Sequence, residues 1–332
     1  METPIVSEAE TLVTNLVEET KLIKKKMTVI VTVQNFEESL DETYLSLKQN
    51  LEPLDHSLEI VFVDDGSSDK TWDHLRAISE KDAAVKAIRL RADSGEAAAF
   101  DAGLKNSDGD KIIFMSSRKR IDPAGLPNLL NKLDQGFHLV IGWRHHRADS
   151  KLNQVISKGF NWLVKKLYRV KLNDVNSGVF VAKREIFEEV PIYGDMNIFV
   201  PVLAARKGFK VGEEKIGQLT GSFRQSKFIS EYIQRILDVI TVIFLMNYSK
   251  RPLHFLGFLG FIFTFAGVFI NLYLFIDRMT GVEGIAGRPM LLLGALLLVI
   301  GIQMISIGLI GEIIIFTHAH DLKEYSIEEI LE

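Results

Sequence analysis

No cysteine occurs among the 332 residues, which excludes disulfides, thiolate catalysis and thiolate metal sites. An excess of positive charge is also lacking. With 39 Lys and Arg against 43 Asp and Glu, the net charge is -4, and nothing points to nucleic acid as a partner. Residues 1–19 are acidic and hold no apolar h-region, so no secretory signal is expected there. The most informative absence is local. Residues 253–276 and 290–316 are almost free of charge, and each exceeds the ~20 residues needed to cross a bilayer. The remainder, with the charge of an ordinary globular chain, reads as a soluble domain ahead of a two-span hairpin. Two spans leave both termini on one side, and Lys250 and Arg251 beside the first span assign that side, and the soluble domain, to the cytoplasm.

The soluble part is organised around residues 59–69, Glu-Ile-Val-Phe-Val-Asp-Asp-Gly-Ser-Ser-Asp. Its β-branched and aromatic start is a buried strand, and Asp64, Asp65 and Gly66 break it into a turn. Ser68 or Asp69 is expected to cap the helix that follows. Further strands are expected over 28–33, 84–90, 111–115 and 138–143, with helices over 37–49, 69–80, 95–105 and 123–135. That alternation predicts right-handed crossovers and a mostly parallel α/β sheet. Gln34-Asn35, Asp64-Asp65, Asp93-Ser94-Gly95 and Ser116-Ser117-Arg118 then fall along one rim, at the strand ends where ligands of such sheets gather.

Three amphipathic stretches surround this domain. Residues 7–26 end in a lysine run and read as a solvated helix without a catalytic role. Residues 153–170 carry an apolar face of Ile156, Phe160, Leu163, Val164 and Leu167 opposite lysines and Arg169. That pattern fits a helix lying in a membrane interface and a helix packed on a core. Residues 229–248 repeat it just before the first span, which favours the membrane.

Several motifs, in order, carry a resemblance. They are Val-Thr-Val-Gln-Asn-Phe-Glu at 31–37, Val-Asp-Asp-Gly-Ser-Ser-Asp at 63–69, Asp-Ser-Gly-Glu-Ala-Ala-Ala-Phe-Asp-Ala-Gly at 93–103, Gly-Phe-Lys-Val-Gly-Glu at 208–213, Ser226-Lys227, and Tyr-Ser-Lys-Arg-Pro-Leu-His at 248–254. With the two spans, residues 28–332 resemble the family 2 glycosyltransferases of the polyprenyl-phosphate type, which include bactoprenyl-phosphate glucosyltransferases and dolichyl-phosphate mannose synthases. The resemblance implies a GT-A fold and inverting transfer of a sugar from a nucleotide-sugar donor to a polyprenyl phosphate lipid. It divides the chain into an extension (1–26), a GT-A domain (27–228), a juxtamembrane helix (229–252), the hairpin (253–316) and a tail (317–332). It places Asp64 and Asp65 at the base and ribose, with Asn35, Asp93, Gly95 and Ser116 on neighbouring nucleotide-binding positions. Asp174 matches an acid that would position or activate the acceptor. Arg144, Arg147, Ser226 and Lys227 would meet the acceptor phosphate, although solvated loop charges explain the two arginines equally well.

The family's Asp-x-Asp at the end of the fourth strand usually holds Mg or Mn, and here it reads Ser116-Ser117-Arg118. An arginine cannot ligate a divalent cation and repels it, so no metal site is expected. Gln34, Phe36, Glu96, Val179 and Phe180 also depart from the family pattern, Phe180 standing where an arginine is usual. Two explanations compete. Arg118, Lys119 and Arg120 directly neutralise the donor diphosphate in a metal-independent enzyme, with Arg118 catalytic; or the chain is a pseudoenzyme that serves as a membrane scaffold or regulatory partner.

In the spans, Gly260 and Gly267, and Gly294, Gly301 and Gly308, recur every seven residues. They predict close packing of the two spans in one subunit, with a homo-oligomer as the alternative. Glu312 near the end of the second span is expected to snorkel or to pair with a neighbour.

Overall fold

Strand β1 (Lys26–Val33) is buried along nearly its whole length, the pattern of a central strand whose sheet is covered on both faces. The computed structural model describes residues 26–54, 56–145, 172–190, 196–219, 252–280 and 289–318, with parts of 154–165. The helix expected over 7–26 lies outside the described residues except for Lys26, which opens β1 instead, and the helix expected over 229–248 and the tail beyond 318 lie outside them entirely. The chain divides into two units, Met1–Ser226 and Lys227–Glu332.

In the first unit β1 is followed by α1 (Glu37–Leu51), β2 (Ser57–Asp64), α2 (Thr71–Lys81), β3 (Val85–Arg89), α3 (Glu96–Lys105), β4 (Lys111–Ser116), α4 (Leu126–Asp134) and β5 (Leu139–Arg144). Then come β6 (Val179–Lys183), the short α5 (Glu185–Glu189) and α6 (Val200–Arg206), and β7 (Val211–Ile216). The seven strands lie in the order β3-β2-β1-β4-β6-β5-β7. Strands β1 to β4 pair in parallel, as the βα alternation requires. The chain moves outward from β1 to β3 and then returns to lay β4 on the other side of β1. That reversal opens a crevice beyond the carboxyl ends of β1 and β4. In register, Val33 faces Asp64 and Thr32 faces Ser116, so the turns carrying the candidate residues emerge side by side.

Two strands were not anticipated. β6 runs antiparallel between β4 and β5, and β7 pairs in parallel with β5. β6 runs antiparallel to both of its neighbours, so the βα alternation does not announce it, and only its pairing with β4 and β5 makes it a strand.

One face of the sheet packs Val29, Val31, Phe62 and Met115 against Leu40 and Leu47 of α1, Leu75 of α2 and Leu129 of α4. The other face carries an aromatic cluster. Phe100 of α3 stands edge-on to Phe114 at 4.8 Å and to Phe180 at 5.7 Å, and Phe114 lies 5.1 Å from Phe180. Each such ring contributes roughly 1.5–3 kcal/mol through burial. Phe180 therefore belongs to the core, where the arginine usual at its position could not be solvated.

The cap of α2 differs from expectation. The helix starts at Thr71, and its N-cap position is Lys70. Asp69 instead accepts from the Thr71 N–H at 3.0 Å with one oxygen and from the Glu37 N–H at 3.3 Å with the other. Its carboxylate is thus shared between the starts of two helices, which displaces it from the cap position. In the 153–170 stretch, Asn161 is buried and Trp162 is 61% exposed.

The second unit holds α7 (Pro252–Met279) and α8 (Pro289–His318), both long and apolar enough to cross a membrane. A Cβ on Gly267 would come within 2.7 Å of the Gly294 carbonyl oxygen, and one on Gly260 within 2.6 Å of that of Gly301. The glycine stripes therefore face each other across one antiparallel hairpin. Glu312 accepts from the Leu253 N–H at 3.3 Å, so it pairs with the first turn of the opposite helix.

Candidate functional site

The rim begins at Asn35, which adopts a left-handed backbone with φ of 49°, a region its residue type tolerates. Its N–H donates to Ser67 Oγ at 2.9 Å, and its side-chain oxygen accepts from the Ser68 N–H at 2.9 Å. Asn35 thereby fastens the turn after β1 to the turn after β2. Asp64 is fully buried, accepts from the Ser67 N–H at 3.0 Å and lies 3.5 Å from Arg89 Nε. At Gly66, with φ of 69°, a Cβ would approach the Asp93 nitrogen to 2.7 Å, so the turn can lie against residues 92–93 only as glycine.

Asp65 is buried and accepts from the N–H groups of Ser94 at 2.7 Å and Gly95 at 3.1 Å, closing the start of α3 onto β2. Burial pushes its carboxyl above the ordinary range, and the neighbouring Asp93 charge adds to this, while the Ser94 N–H and Arg118 oppose it. Asp93 moves the other way, held low by a hydrogen bond from Gln34 and by the charge of Arg118. The two acids thus form an unequal pair, one shifted up by burial and the other held low by its partners.

Arg118 completes this group. Its Nη2 donates to Gln34 Oε1 at 2.7 Å and lies 3.8 Å from Asp65 Oδ2. Gln34 in turn donates through Nε2 to the Asp65 carbonyl oxygen at 3.1 Å. Gln34, Asn35, Asp93, Ser117, Arg118 and Arg120 line a cavity of about 710 Å³, within the range of small-molecule sites. Next to it Ser116, fully buried, donates a short hydrogen bond to Glu96 Oε1, and Thr32 Oγ1 donates to the same oxygen at 3.4 Å. Among the described residues no cluster of three or more His, Cys, Asp or Glu converges as a metal site would.

Asp174 and Arg144 are brought together away from this cavity. Arg144 Nε and Nη2 donate to the two Asp174 oxygens at 2.7 and 2.9 Å, and both side chains are 3% exposed. Arg147, Ser226 and Lys227 lie outside the described residues. Gln34, legible in the sequence as a rim residue, and Glu96, legible only as a departure from the family pattern, bond to Arg118 and Ser116, two further departures. The signal that pairs them is spatial, since 84 and 20 positions separate the partners.

Residues 28–190 match the family described as Glycosyl transferase family 2. The chain is 30% identical over 302 residues to the dodecaprenyl-phosphate galacturonate synthase of Rhizobium johnstonii, covering 89% of each. It is 28% identical over 312 residues to the undecaprenyl-phosphate 4-deoxy-4-formamido-L-arabinose transferase of Salmonella choleraesuis, covering 92% of this chain and 94% of that one. Among solved structures, glucosyl-3-phosphoglycerate synthase from Mycobacterium tuberculosis, in complex with Mn2+ and uridine-diphosphate-glucose, superposes with a TM-score of 0.52 at 18% identity. It covers 66% of this chain and 78% of that one, a likeness of fold that identifies the sheet as GT-A. By sequence and fold together, this chain belongs to glycosyl transferase family 2 and has a GT-A fold, and the relatives it is similar to are polyprenyl-phosphate sugar transferases.

Proposed function

We propose that this protein transfers a sugar from a nucleotide-sugar to polyprenyl phosphate with inversion and without a divalent metal, Arg118 neutralising the leaving diphosphate. One observation carries the reading: four of the departures from the family pattern occur as two contacting, chemically matched pairs. Arg118 donates to Gln34, and Ser116 donates to Glu96. A decaying site loses partners one at a time, whereas matched pairs indicate a site rebuilt around a cation. The residues present do not fit Mg or Mn, because the strand end offers two hydroxyls and a guanidinium, and the Ser116 hydroxyl is already given to Glu96.

In the reaction an acceptor phosphate oxygen attacks the anomeric carbon from the face opposite the leaving group. The C–O bond to the nucleoside diphosphate breaks, and its electron pair stays with the diphosphate. The acceptor phosphate has its second pKa near ~6 and is largely dianionic at neutral pH, so no general base is required. The barrier lies in the charge developing on the leaving group, against which a preorganised guanidinium acts without reorganising. Asn35, Asp64, Asp65, Asp93, Gly95 and Ser116 shape the donor site in this reading. Arg144, Arg147, Ser226 and Lys227 belong to the acceptor side, Asp174 and Arg144 through the segment they fix together.

The hairpin keeps the domain at the membrane surface where the lipid phosphate lies, and Lys250 and Arg251 favour the cytoplasmic face for the domain and both termini. The second reading, a silent scaffold, is favoured by the existing bond of Arg118 to Gln34, which leaves the cation partly engaged before any donor arrives. Label transfer from a panel of sugar nucleotides to polyprenyl phosphate, with and without chelator, separates the two. Chelator-resistant turnover that falls about 100-fold or more in Arg118→Ala supports the metal-free enzyme. Absent turnover, with no calorimetric binding of any nucleotide, leaves the scaffold.

A further inference from the structure

Residues 173–176, just ahead of β6, are held from three directions, and one of their anchors has no assigned role. Glu213 on β7 accepts from the backbone N–H of Asn173 in a short hydrogen bond, from Asn173 Nδ2 at 2.9 Å and from the Asp174 N–H at 3.0 Å. Arg144 on β5 grips Asp174 and donates to the Asn176 carbonyl oxygen at 2.9 Å. Asn161 donates to the Asn173 carbonyl oxygen at 2.8 Å and accepts from the Val175 N–H at 3.2 Å.

What this segment supports is the end of β4. The Gly178 carbonyl oxygen accepts from the Ser116 N–H at 2.8 Å. With φ of 77°, Gly178 lies directly against the Lys119 side chain, and an added Cβ would stand 3.1 Å from Ser116 Cβ. The position of residues 173–178 therefore sets that of residues 116–119, and Arg118 sits inside that stretch.

We infer that Glu213 is a positioning residue for this transferase, acting through residues 173–178 to hold the strand end that aims Arg118 into the donor cavity. The inference rests on the reading of Arg118 given above. Its physical content is that an anchored loop spends little free energy on ordering when the leaving group must be met. Glu214, the next residue, is ion-paired to Lys132 at 3.0 Å and points to the other side of the strand, which makes it the natural control.

Hydrogen–deuterium exchange and label transfer on the full chain in detergent test this. In Glu213→Gln the amides of residues 173–174 and 116–118 are expected to exchange about tenfold faster or more, the loss of hydrogen bonds to a charged group. Protection of β1 and β2 is expected to stay unchanged, kcat to fall by a similar factor, and donor KM to move less than about twofold. Asn161→Ala, which releases the same segment from its opposite side, is expected to reproduce the pattern, and Glu214→Gln to leave all of it unaltered. Unchanged protection at 116–118 while 173–174 opens would overturn the inference. So would a uniform loss of protection through β1 and β2, which would make Glu213 a general stabiliser. If the unmodified chain shows no turnover, the transferase reading fails, and the exchange data alone still decide whether Glu213 holds the strand end.

Discussion

The guanidinium of Arg118 donates to the side-chain oxygen of Gln34 at 2.7 Å, joining the end of β4 to the turn after β1 in the lining of the cavity. Gln34 also reaches the Asp65 carbonyl oxygen and the Asp93 carboxylate, so one amide orients both the cation and the acid beside it. Gln34→Ala is expected to leave Arg118 present but loosely aimed. Donor KM then changes little while kcat falls about tenfold, since misplacement of a group that acts on the transition state is costly. Steady-state label transfer checks this, and a fall in donor affinity with unchanged kcat would count against it.

The Arg144–Asp174 pair is buried, bidentate and bonded further to the Asn176 carbonyl oxygen. Removing one partner strands a charge out of water, so Asp174→Ala is expected to cost about 3–5 kcal/mol. The double variant Arg144→Met with Asp174→Leu should recover most of that loss. Denaturant midpoints of the full chain measure both. Were Asp174 instead to act on the acceptor directly, Asp174→Asn would lower kcat with the midpoint unmoved.

Asp82 supplies a pH signature remote from the site. It accepts from Tyr44 Oη at 2.7 Å and Lys48 Nζ at 2.9 Å, tying α1 to the turn before β3. The Lys48 bond, then the Tyr44 bond, hold its carboxyl below the ordinary Asp value. A carboxyl lowered in the folded state contributes stability that is present above its unfolded pKa and lost as pH falls through the folded one. Asp82→Asn is therefore expected to cost about 1 kcal/mol near neutral pH and progressively less in acid, as the native carboxyl is protonated in its turn. Paired unfolding curves at neutral and acid pH test the sign.

Much of the first unit was legible because its signals are local. Asp64, Asp65 and Gly66 end a β-branched run, and the βα alternation up to β5 implies a parallel sheet whose strand ends share one rim. The spans were equally plain, since crossing a bilayer needs only length and apolarity. β6 was not legible, because five residues inserted antiparallel between β4 and β5 have no periodicity of their own. Glu213 was hidden for a similar reason. It lies 39 and 40 positions from the amides it binds, and no local pattern marks an acceptor for a distant loop.

By itself the sequence determined the fold class, the hairpin, the family resemblance and the places where that resemblance breaks, because each depends on composition, period or short spacing. Tertiary structure alone decided what stands against each break. It set Arg118 against Gln34 and Ser116 against Glu96, locked Asp174 onto Arg144, turned Phe180 into the aromatic core and closed the glycine stripes on each other within one hairpin. These are meetings of side chains from different strands and helices. Their energy depends on distance and burial, which are fixed only when the sheet brings remote segments together.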